Sequence, residues 1–231
     1  MKTLKLITLV LALSFVVIPT SFAKKAKSTC AATGFGDCPV KGCGGDPELN
    51  KKKNSTTTPA AADVEKFKRA DFVKLKFPAS WTSGTKRTLL ESWGEDKAVE
   101  YEAYLIKTKH YPSGMESCNC NLKKEENNDF HLVTVSQKNA SEDSSVTAEI
   151  TPRIRLDGWT FSKLTDLSNK KSYVKITGFL MLDTQHLGGG GPARVTDWEI
   201  HPVTAIKVCT GSVTGCKAGS GWEDLATVPE P

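Results

Sequence analysis

Three pairs of an acidic residue and a histidine are the side chains of this chain best suited to chemistry. In each pair the histidine follows the acid by two or three positions, and the pairs are Asp129 with His131, Asp183 with His186, and Glu199 with His201. A carboxylate beside an imidazole can fix its tautomer and raise its basicity, as it does around metal ions and in general-base pairs. The three pairs are therefore candidates for binding a ligand, holding a divalent metal ion or activating water.

The same residue types have a structural interpretation that competes with the chemical one. Acids and histidines at strand ends commonly hydrogen-bond loop backbone and hold a long loop in place. Arg153 and Arg155 could likewise pair with Glu149 or contact an anion, and Arg153 is retained as a ligand-binding candidate beside the three pairs. A structural role, ligand binding without chemistry and catalysis all stay open at this point. No catalytic residue and no metal ligand is assigned.

Motifs that would name an enzyme class are absent from the sequence. It contains neither the G-x-S-x-G motif of a serine nucleophile nor the H-E-x-x-H motif of a zinc protease. The run Gly188-Gly189-Gly190-Gly191 has no Lys-Ser/Thr after it and opens no predicted helix, which indicates a flexible loop tip and not a phosphate-binding loop. The chain is more typical of a non-enzymatic protein, and no cofactor is predicted unless a divalent metal assists hydrolysis.

The elements that must position the acid–histidine pairs are predicted to be β-strands. Val174, Ile176, Leu180 and Leu182 fall at even positions with Gly178 in the same phase, and from Val99 to Leu105 apolar residues alternate with others, which is the period of half-buried strands. The other predicted strands run from Phe130 to Gln137, from Val146 to Arg155 and from Trp198 to Val208. The last strand loses its alternation at Pro202, which predicts a bulge or an edge because proline cannot donate to the ladder.

A short helix between the third and fourth strands completes the element order. Phe161, Leu164 and Leu167 lie at helical spacing. The order β-β-β-α-β-β is that of the OB-fold, a five-stranded Greek-key barrel. The predicted fold class is therefore all-β with one short helix, an OB-like five-stranded Greek-key barrel preceded by a Cys-rich irregular N-terminal arm. On that frame the acid–histidine pairs lie near the ligand-binding face and its two flanking loops.

The N-terminus has the composition of an export signal. Lys2 and Lys5 precede an apolar run too short for a membrane span, and Ser21-Phe22-Ala23 places small residues where a signal peptidase cleaves. Cleavage near Ala23 predicts an exported protein, periplasmic or secreted, with no transmembrane span in the mature chain. The formal charge of +5 then falls to +3, because residues 1–23 carry two lysines and no acidic residue.

The rest of the chain divides by composition into four segments. Residues 24–60 are a Cys-, Gly- and Lys-rich arm and linker, residues 61–96 a helix and a barrel-capping segment, residues 97–210 the barrel, and residues 211–231 a loose C-terminal tail. The helix is predicted within residues 60–69, where Val64 and Phe67 lie three positions apart. Because they lack a periodic apolar face to bury, residues 24–60 and 217–231 are predicted to be the least ordered parts.

Seven cysteines follow the predicted signal, and export makes disulfides their default state: Cys30, Cys38, Cys43, Cys118, Cys120, Cys209 and Cys216. Cys209 and Cys216 bracket a short loop and are predicted to pair. Cys118 and Cys120 are too close to pair without strain, so each would seek a distant partner, for which the arm offers three cysteines. An odd number leaves one thiol free or intermolecular. A zinc site is the competing interpretation, but the spacing is not that of structural zinc sites.

Several segments together resemble an uncharacterised group of predicted exported bacterial proteins. They are CPVKGCGGDPELNKKKN, ESCNCN, the DFH strand, AEITPRIR, TGFLMLD..H and WEIHPVTAIKVC, of which WEIHPVTAI is the most specific. The resemblance covers nearly all of the mature chain and implies an OB-like domain with no assigned reaction. The thermonuclease group also has an OB barrel, but this chain lacks its Gly-Asp-Thr turn and its Asp-x-Pro-Glu run. Its catalytic roles are therefore not carried over.

Two functional hypotheses follow from the sequence. The first is an exported OB-like binding or structural module, with an oligosaccharide or a nucleic acid as ligand by analogy with other OB barrels. The second is a metal-assisted hydrolase that acts on phosphodiesters through the Asp/His/Glu cluster. Convergence of His131, His186 and His201 on one site is the geometric condition that the second hypothesis requires.

Overall fold

Five strands close into a barrel in the computed structural model, which describes residues 31–81, 85–187 and 193–231. They are β2 (Ala98–Lys109), β3 (Phe130–Val135), β4 (Val146–Ile150), β5 (Tyr173–Leu182) and β6 (Trp198–Cys209). Their order around the barrel is β2-β3-β4-β6-β5, and pairing of β5 with β2 closes it. Only β4 and β6 run parallel among these five neighbouring pairs. Helix α3 (Phe161–Asn169) lies between β4 and β5 in sequence, so the predicted all-β class and β-β-β-α-β-β order are confirmed.

Shorter elements extend the barrel at its edges. Strand β1 (Glu65–Phe67) pairs in parallel with β2, and β7 (Trp222–Asp224) pairs antiparallel with β6. The remaining helices are α1 (Pro47–Lys53), α2 (Arg69–Lys74) and α4 (Val213–Lys217). None of the helices in the described part of the chain is long and apolar enough to cross a membrane. The predicted export signal and the four-glycine run lie outside the described residues.

Alternate residues of the strands fill the barrel interior, as their period predicted. In β2 the side chains of Val99, Tyr101, Ala103 and Leu105 are all buried, and β5 contributes its even-numbered apolar residues. Helix α3 adds Leu164 and Leu167 to the same core. Full burial of one large aliphatic side chain stabilises the fold by roughly 1.5–3 kcal/mol, so this shared core holds the strand positions fixed.

A bulge in β6 confirms the irregularity predicted at Pro202. Leu180 pairs with Ile200 while Gly178 pairs with Val203, so β6 carries one more residue than β5 between these positions. The extra residue brings the two backbones close together at Gly178. A Cβ atom there would lie 2.4 Å from the carbonyl oxygen of Pro202, which explains why this strand position is glycine.

Residues 60–69 differ from the predicted helix. They form a 3-10 turn at Ala61–Asp63 and strand β1, and helix α2 begins only at Arg69. The cause is tertiary: the backbone of β1 pairs with β2, and this ladder outweighs the helical composition of the segment. The helix then starts where the Asp71 carboxylate accepts a hydrogen bond from the Lys68 amide at 2.9 Å.

Both flanks pack on the barrel, in contrast to the loose segments that their sequences suggested. In the arm, Asp46 caps α1 by accepting from the amides of Glu48 and Leu49, and Leu49 is fully buried. At the C-terminus, β7 joins the sheet and Leu225 enters the core without any exposed surface. Elements of three to seven residues are too short to show a period, so the sequence pattern does not reveal them.

Two disulfides tie these flanks to the barrel. The predicted local pair Cys209–Cys216 is present, and Cys38 of the arm is bonded to Cys120. Cys43 is also disulfide-bonded, whereas Cys30 lies outside the described residues. Within the described ranges the one free thiol is the buried Cys118. Cys118 and Cys120 do not pair with each other, as expected, and Cys120 has the predicted distant partner. The expectation of a distant partner is wrong for Cys118, whose thiol is free and buried.

Candidate functional site

The acid–histidine pairs meet in one network of charged side chains, which we term the charge cluster. Its members are Lys53, Glu116, Asp129, His131, Glu149, Asp183, His186, Arg194, Glu199 and His201. They come from α1, β3, β4, β6 and the segments 110–129, 183–187 and 193–197. All three predicted pairs contribute both of their residues, so the topology brings together what the sequence separates.

His131 lies between two carboxylates. Its Nε2 is 3.0 Å from Glu116 Oε1, and its Nδ1 is 2.8 Å from Glu149 Oε1. The second contact follows from the antiparallel register of β3 and β4, which places His131 directly opposite Glu149. Burial on its own would lower the pKa of His131, but Glu149 and Glu116 outweigh it and raise the pKa well above its ordinary value. His131 is therefore held as an imidazolium.

His201 is deeper in the cluster and is also surrounded by acids. Its Nδ1 lies 2.9 Å from Glu149 Oε2 and 3.3 Å from Glu199 Oε1, and its Nε2 lies 3.5 Å from Asp129 Oδ2. Ala148 of β4 pairs with Ile200 of β6 in a parallel ladder. Glu149 and His201, the next residues of the two strands, therefore lie side by side. Burial opposes protonation, yet Glu149 prevails and raises the pKa of His201 to about 9.

The third pair forms the loop side of the cluster. Asp183 Oδ2 lies 2.7 Å from His186 Nδ1 and accepts a hydrogen bond from Arg194 at 2.9 Å. Arg194 also donates to Glu199 Oε2 at 3.3 Å, so it links the loop to β6. Burial alone would raise the pKa of Asp183, but the hydrogen bond from His186 and the charge of Lys53 bring it well below its ordinary value.

Three carboxylates of the cluster have pKa values displaced in different directions. Burial raises the pKa of Asp129 to about 6, with Glu116 adding to the rise and His201 opposing it. Burial also raises the pKa of Glu199, to which Glu149 contributes. In Glu149 the effect of burial is outweighed by His131 and Lys53, and the pKa falls well below its ordinary value. The ionised form is thus favoured at Glu149, whereas burial makes ionisation less favourable at Asp129 and Glu199.

A cavity of about 300 Å³ opens beside the charge cluster. Its lining includes Asp129, His131 and Glu149 from the β3–β4 face, together with residues of the two flanking loops and Lys53. Tyr111 and Met115 are the exposed hydrophobic side chains of this lining. His201 does not line this cavity but borders a second one of about 590 Å³ near Pro202. The cavity therefore has a charged floor and a partly apolar rim.

Arg153 and His110 lie outside the charge cluster. Arg153 donates to the carbonyl of Cys38 and lies over the Phe35 ring at 4.9 Å, and Arg155 lies over the Phe130 ring at 3.5 Å. Neither arginine forms an ion pair with Glu149 in the described structure, so that predicted pairing is wrong. His110 packs edge-on against Phe161 with ring centroids 4.3 Å apart.

Four cluster residues were missed in the sequence. Lys53, Glu116 and Arg194 lie in irregular segments or at the end of a short helix, where no period predicts which way a side chain points. Glu149 lies in β4, whose five residues are all buried. An acidic residue inside a predicted core strand is unusual, and this feature of the sequence could have identified Glu149 as a candidate site residue. Lys53 shows that the arm completes the site, since its Nζ lies 3.7 Å from Glu149 and 3.9 Å from Glu199.

The fold and the cavity together define a small closed β-barrel protein with a charged, partly buried pocket. Comparisons with known proteins add no narrower class: no protein-family model, no curated protein and no solved structure matches the chain. The resemblance to a group of exported bacterial proteins therefore stays a prediction. Function has to be argued from the geometry of the cavity.

Proposed function

We propose that the protein is an exported OB-like binding module that takes a small polar ligand of the saccharide type in the cavity beside the charge cluster. The observation that carries the proposal is the position of this cavity. It lies on the face formed by β3 and β4, between the loop at residues 110–129 and the described parts of the loop between β5 and β6, residues 183–187 and 193–197. These correspond to the second and third barrel strands and to the two loops with which OB barrels bind their ligands.

The lining favours a saccharide over a nucleic acid. The lining carries the carboxylates of Glu116, Asp129, Glu149 and Asp183, and each of its basic side chains faces a carboxylate of the protein. It is therefore not the unpaired basic surface on which a phosphate backbone binds. Carboxylates, imidazoles and a guanidinium are the groups that bind hydroxyls through charge-assisted hydrogen bonds. Tyr111, 39% exposed, offers the apolar ring face on which a sugar can pack. A volume of about 300 Å³ suits one or two sugar rings, not a polymer chain.

Export is supported by the oxidised cysteines. Cys38–Cys120 and Cys209–Cys216 are structural disulfides, which form and persist in oxidising compartments. Together with the apolar N-terminal segment that ends at Ala23, they favour a periplasmic or secreted protein.

Titration followed by nuclear magnetic resonance tests the binding proposal. The purified protein is titrated with glucose, N-acetylglucosamine, glucuronate and a short thymidine oligonucleotide, and amide shifts are mapped on the fold. We expect saturable shifts with at least one saccharide, centred on β3, β4 and the two loops. Binding of the oligonucleotide alone, or shifts that map to another face, would refute the proposal.

A matched pair of aromatic substitutions sharpens this test. Tyr111→Ala removes a ring from the cavity rim, whereas Trp93→Ala removes a similarly exposed ring that does not line the cavity. We expect the first change to weaken saccharide binding by about 10-fold, since one stacked ring contributes of the order of 1–1.5 kcal/mol. The second change should leave binding unaltered. Equal effects would show that the cavity is not the site.

A second candidate function is a metal-assisted hydrolase. The observation that favours it is the clustering of Asp129, Glu149 and His201, whose donor atoms lie within 4.8 Å of one another. Hydrolysis of bis(p-nitrophenyl) phosphate in the presence of Zn²⁺ or Mn²⁺, abolished by Asp129→Asn, would support this candidate over a pure binding role.

A further inference from the structure

Three buried donor groups from different strands converge beneath the cavity. Asp129 directly precedes β3, Glu149 lies in β4 and His201 lies in β6. They are 1%, 4% and 1% exposed, and one donor atom of each lies within 4.8 Å of the donors of the other two. Ligands that share one ion with bonds of about 2.0–2.3 Å lie within about this distance of each other. The spacing therefore fits a common metal ion.

Two of these groups carry a donor atom without a hydrogen bond. Among the described residues, neither His201 Nε2 nor Glu149 Oε2 has a hydrogen-bond partner. Nε2 lies 3.5 Å from Asp129 Oδ2, the third donor group of the set. Glu149 Oε2 keeps ion-pair contacts with His201 Nδ1 at 2.9 Å and with Lys53 Nζ at 3.7 Å, so His201 Nε2 is the atom of the set that lacks a close partner. Buried polar atoms are nearly always paired, and an ion between Nε2 and Asp129 would supply that partner.

Two carboxylates face Nδ1 of His201. Nδ1 lies 2.9 Å from Glu149 Oε2 and 3.3 Å from Glu199 Oε1, the second contact in hydrogen-bonding geometry. When Nδ1 donates the ring proton to Glu199, the lone pair is on Nε2, which faces Asp129. Histidines that bind metal ions commonly donate their other ring N–H to a carboxylate in this way.

Lys53 is the cation nearest to this donor set. The charge cluster contains five carboxylates, Glu116, Asp129, Glu149, Asp183 and Glu199, and two permanently charged cations, Lys53 and Arg194. Lys53 Nζ does not fill the place of an ion, because it stays 3.7 Å from Glu149 Oε2, beyond hydrogen-bond distance.

We infer that Asp129, Glu149 and His201 Nε2 form a binding site for a divalent transition-metal ion. The imidazole donor favours zinc and similar ions over magnesium and calcium, which prefer all-oxygen sites. Asp129 and Glu149 also line the cavity, which gives an ion access to the site. This assignment goes beyond saccharide binding and does not depend on it.

Metal titration of the full chain tests the assignment. The chelator-treated protein is titrated with Zn²⁺ by calorimetry and with Co²⁺ by visible absorption. We expect one saturable site, which is lost in His201→Gln and in Asp129→Asn. Glu199→Gln keeps the three ligands but removes the carboxylate beside His201 Nδ1, so the affinity for the ion should fall about 10–100-fold. His110→Gln is the matched control, because His110 packs against Phe161 outside the cluster. Equal losses in the control and in His201→Gln would overturn the inference.

A measurement on the unmodified protein does not depend on the folding of any variant. Zinc should shift the Nε2 resonance of His201 while Nδ1 keeps its proton. A sulfur-to-cobalt charge-transfer band would instead place the ion on Glu116, Cys118 and Asp129, the neighbouring donor set, and would contradict the assignment. Absence of saturable one-to-one zinc binding in the unmodified protein would refute it outright.

Discussion

Glu149 connects the two histidines that lie closest to the cavity floor. One carboxylate oxygen lies 2.8 Å from His131 and the other 2.9 Å from His201, and Lys53 approaches at 3.7 Å. A single side chain thus compensates three positive groups that burial would otherwise leave unbalanced. Its position is fixed by β4, whose five residues are all buried.

Glu149→Gln is therefore expected to destabilise the protein strongly. Removing one partner of a buried ion pair leaves uncompensated charge and costs about 3–5 kcal/mol in the free energy of unfolding. Glu142→Gln is the control: Glu142 also faces two cations, Lys107 and Lys109, but these side chains are partly exposed and the change should cost less than about 1 kcal/mol. Urea denaturation measures both, and similar losses would contradict this account of Glu149.

The pKa of His186 should depend on the Asp183 carboxylate. The hydrogen bond to Asp183 raises this pKa above its ordinary value, although burial opposes the rise. Stabilisation by the pair is therefore fully present below the unfolded pKa of about 6.5 and is lost as pH rises through the folded pKa. Asp183→Asn should lower the pKa of His186, measured by nuclear magnetic resonance. Gln185→Ala, which keeps the carboxylate, should leave it unchanged; an unaltered pKa in Asp183→Asn would contradict the pairing.

At the scale of elements, the bulge in β6 orients the deepest residue of the cluster. His201 and Pro202 lie between the two positions where β6 pairs regularly with β5, Ile200 and Val203. The extra residue changes the local direction of the strand, and Gly178 of β5 allows the backbones to approach there. The geometry of His201 therefore depends on a glycine in another strand.

Gly178→Ala should destabilise the barrel at this point. The added Cβ would meet Pro202 O at 2.4 Å and Ile200 Cγ2 at 2.6 Å, so β5 and β6 must separate locally. Overpacking of this kind costs about 1–3 kcal/mol. Gly34→Ala is a suitable control, because nothing lies within 4 Å of a Cβ at that position. Chemical denaturation checks the difference, and equal stability of the two variants would show that the strands tolerate the separation.

The sequence predicted the long elements well because their periods extend over many residues. Alternation across β2 and β5 and the helical spacing in α3 matched the observed elements, and Pro202 marked the bulge. Strands β1 and β7, of three residues each, are too short to show a period. The acid–histidine pairs were found because each lies at the end of a predicted strand. Lys53 and Arg194 were not, since nothing local fixes the direction of side chains in irregular segments.

At the scale of the whole molecule, the flanking segments are part of the folded unit. The arm supplies Lys53 to the cluster and Cys38 to a disulfide, and the C-terminal segment supplies β7 and Leu225. Lys163 of α3 donates to the carbonyl of Leu225 at 3.1 Å, which links the last segment to the helix. Trimming either flank would remove core or cluster contacts.

Leu225→Ala should show this dependence directly. Leu225 is fully buried, and truncation of such a leucine costs about 2–5 kcal/mol. Leu156→Ala serves as the control, because Leu156 is 54% exposed and should change stability by no more than about 0.5 kcal/mol. The midpoint of urea unfolding distinguishes the two. A loss no greater than that of the control would mean that the C-terminal segment is detached in solution.

The assembly of the charge cluster from distant parts of the chain has a consequence for thermodynamic linkage. Lys53 and His201 are 148 positions apart in the sequence, so the unfolded chain has no such site. A ligand that binds there binds only the native state and raises its stability by RT ln(1 + [L]/Kd), about 2.7 kcal/mol at one hundred times Kd. Each compound or ion that occupies the cavity should therefore raise the melting temperature in a concentration-dependent way. The natural ligand can be sought by that shift alone, before any reaction is known.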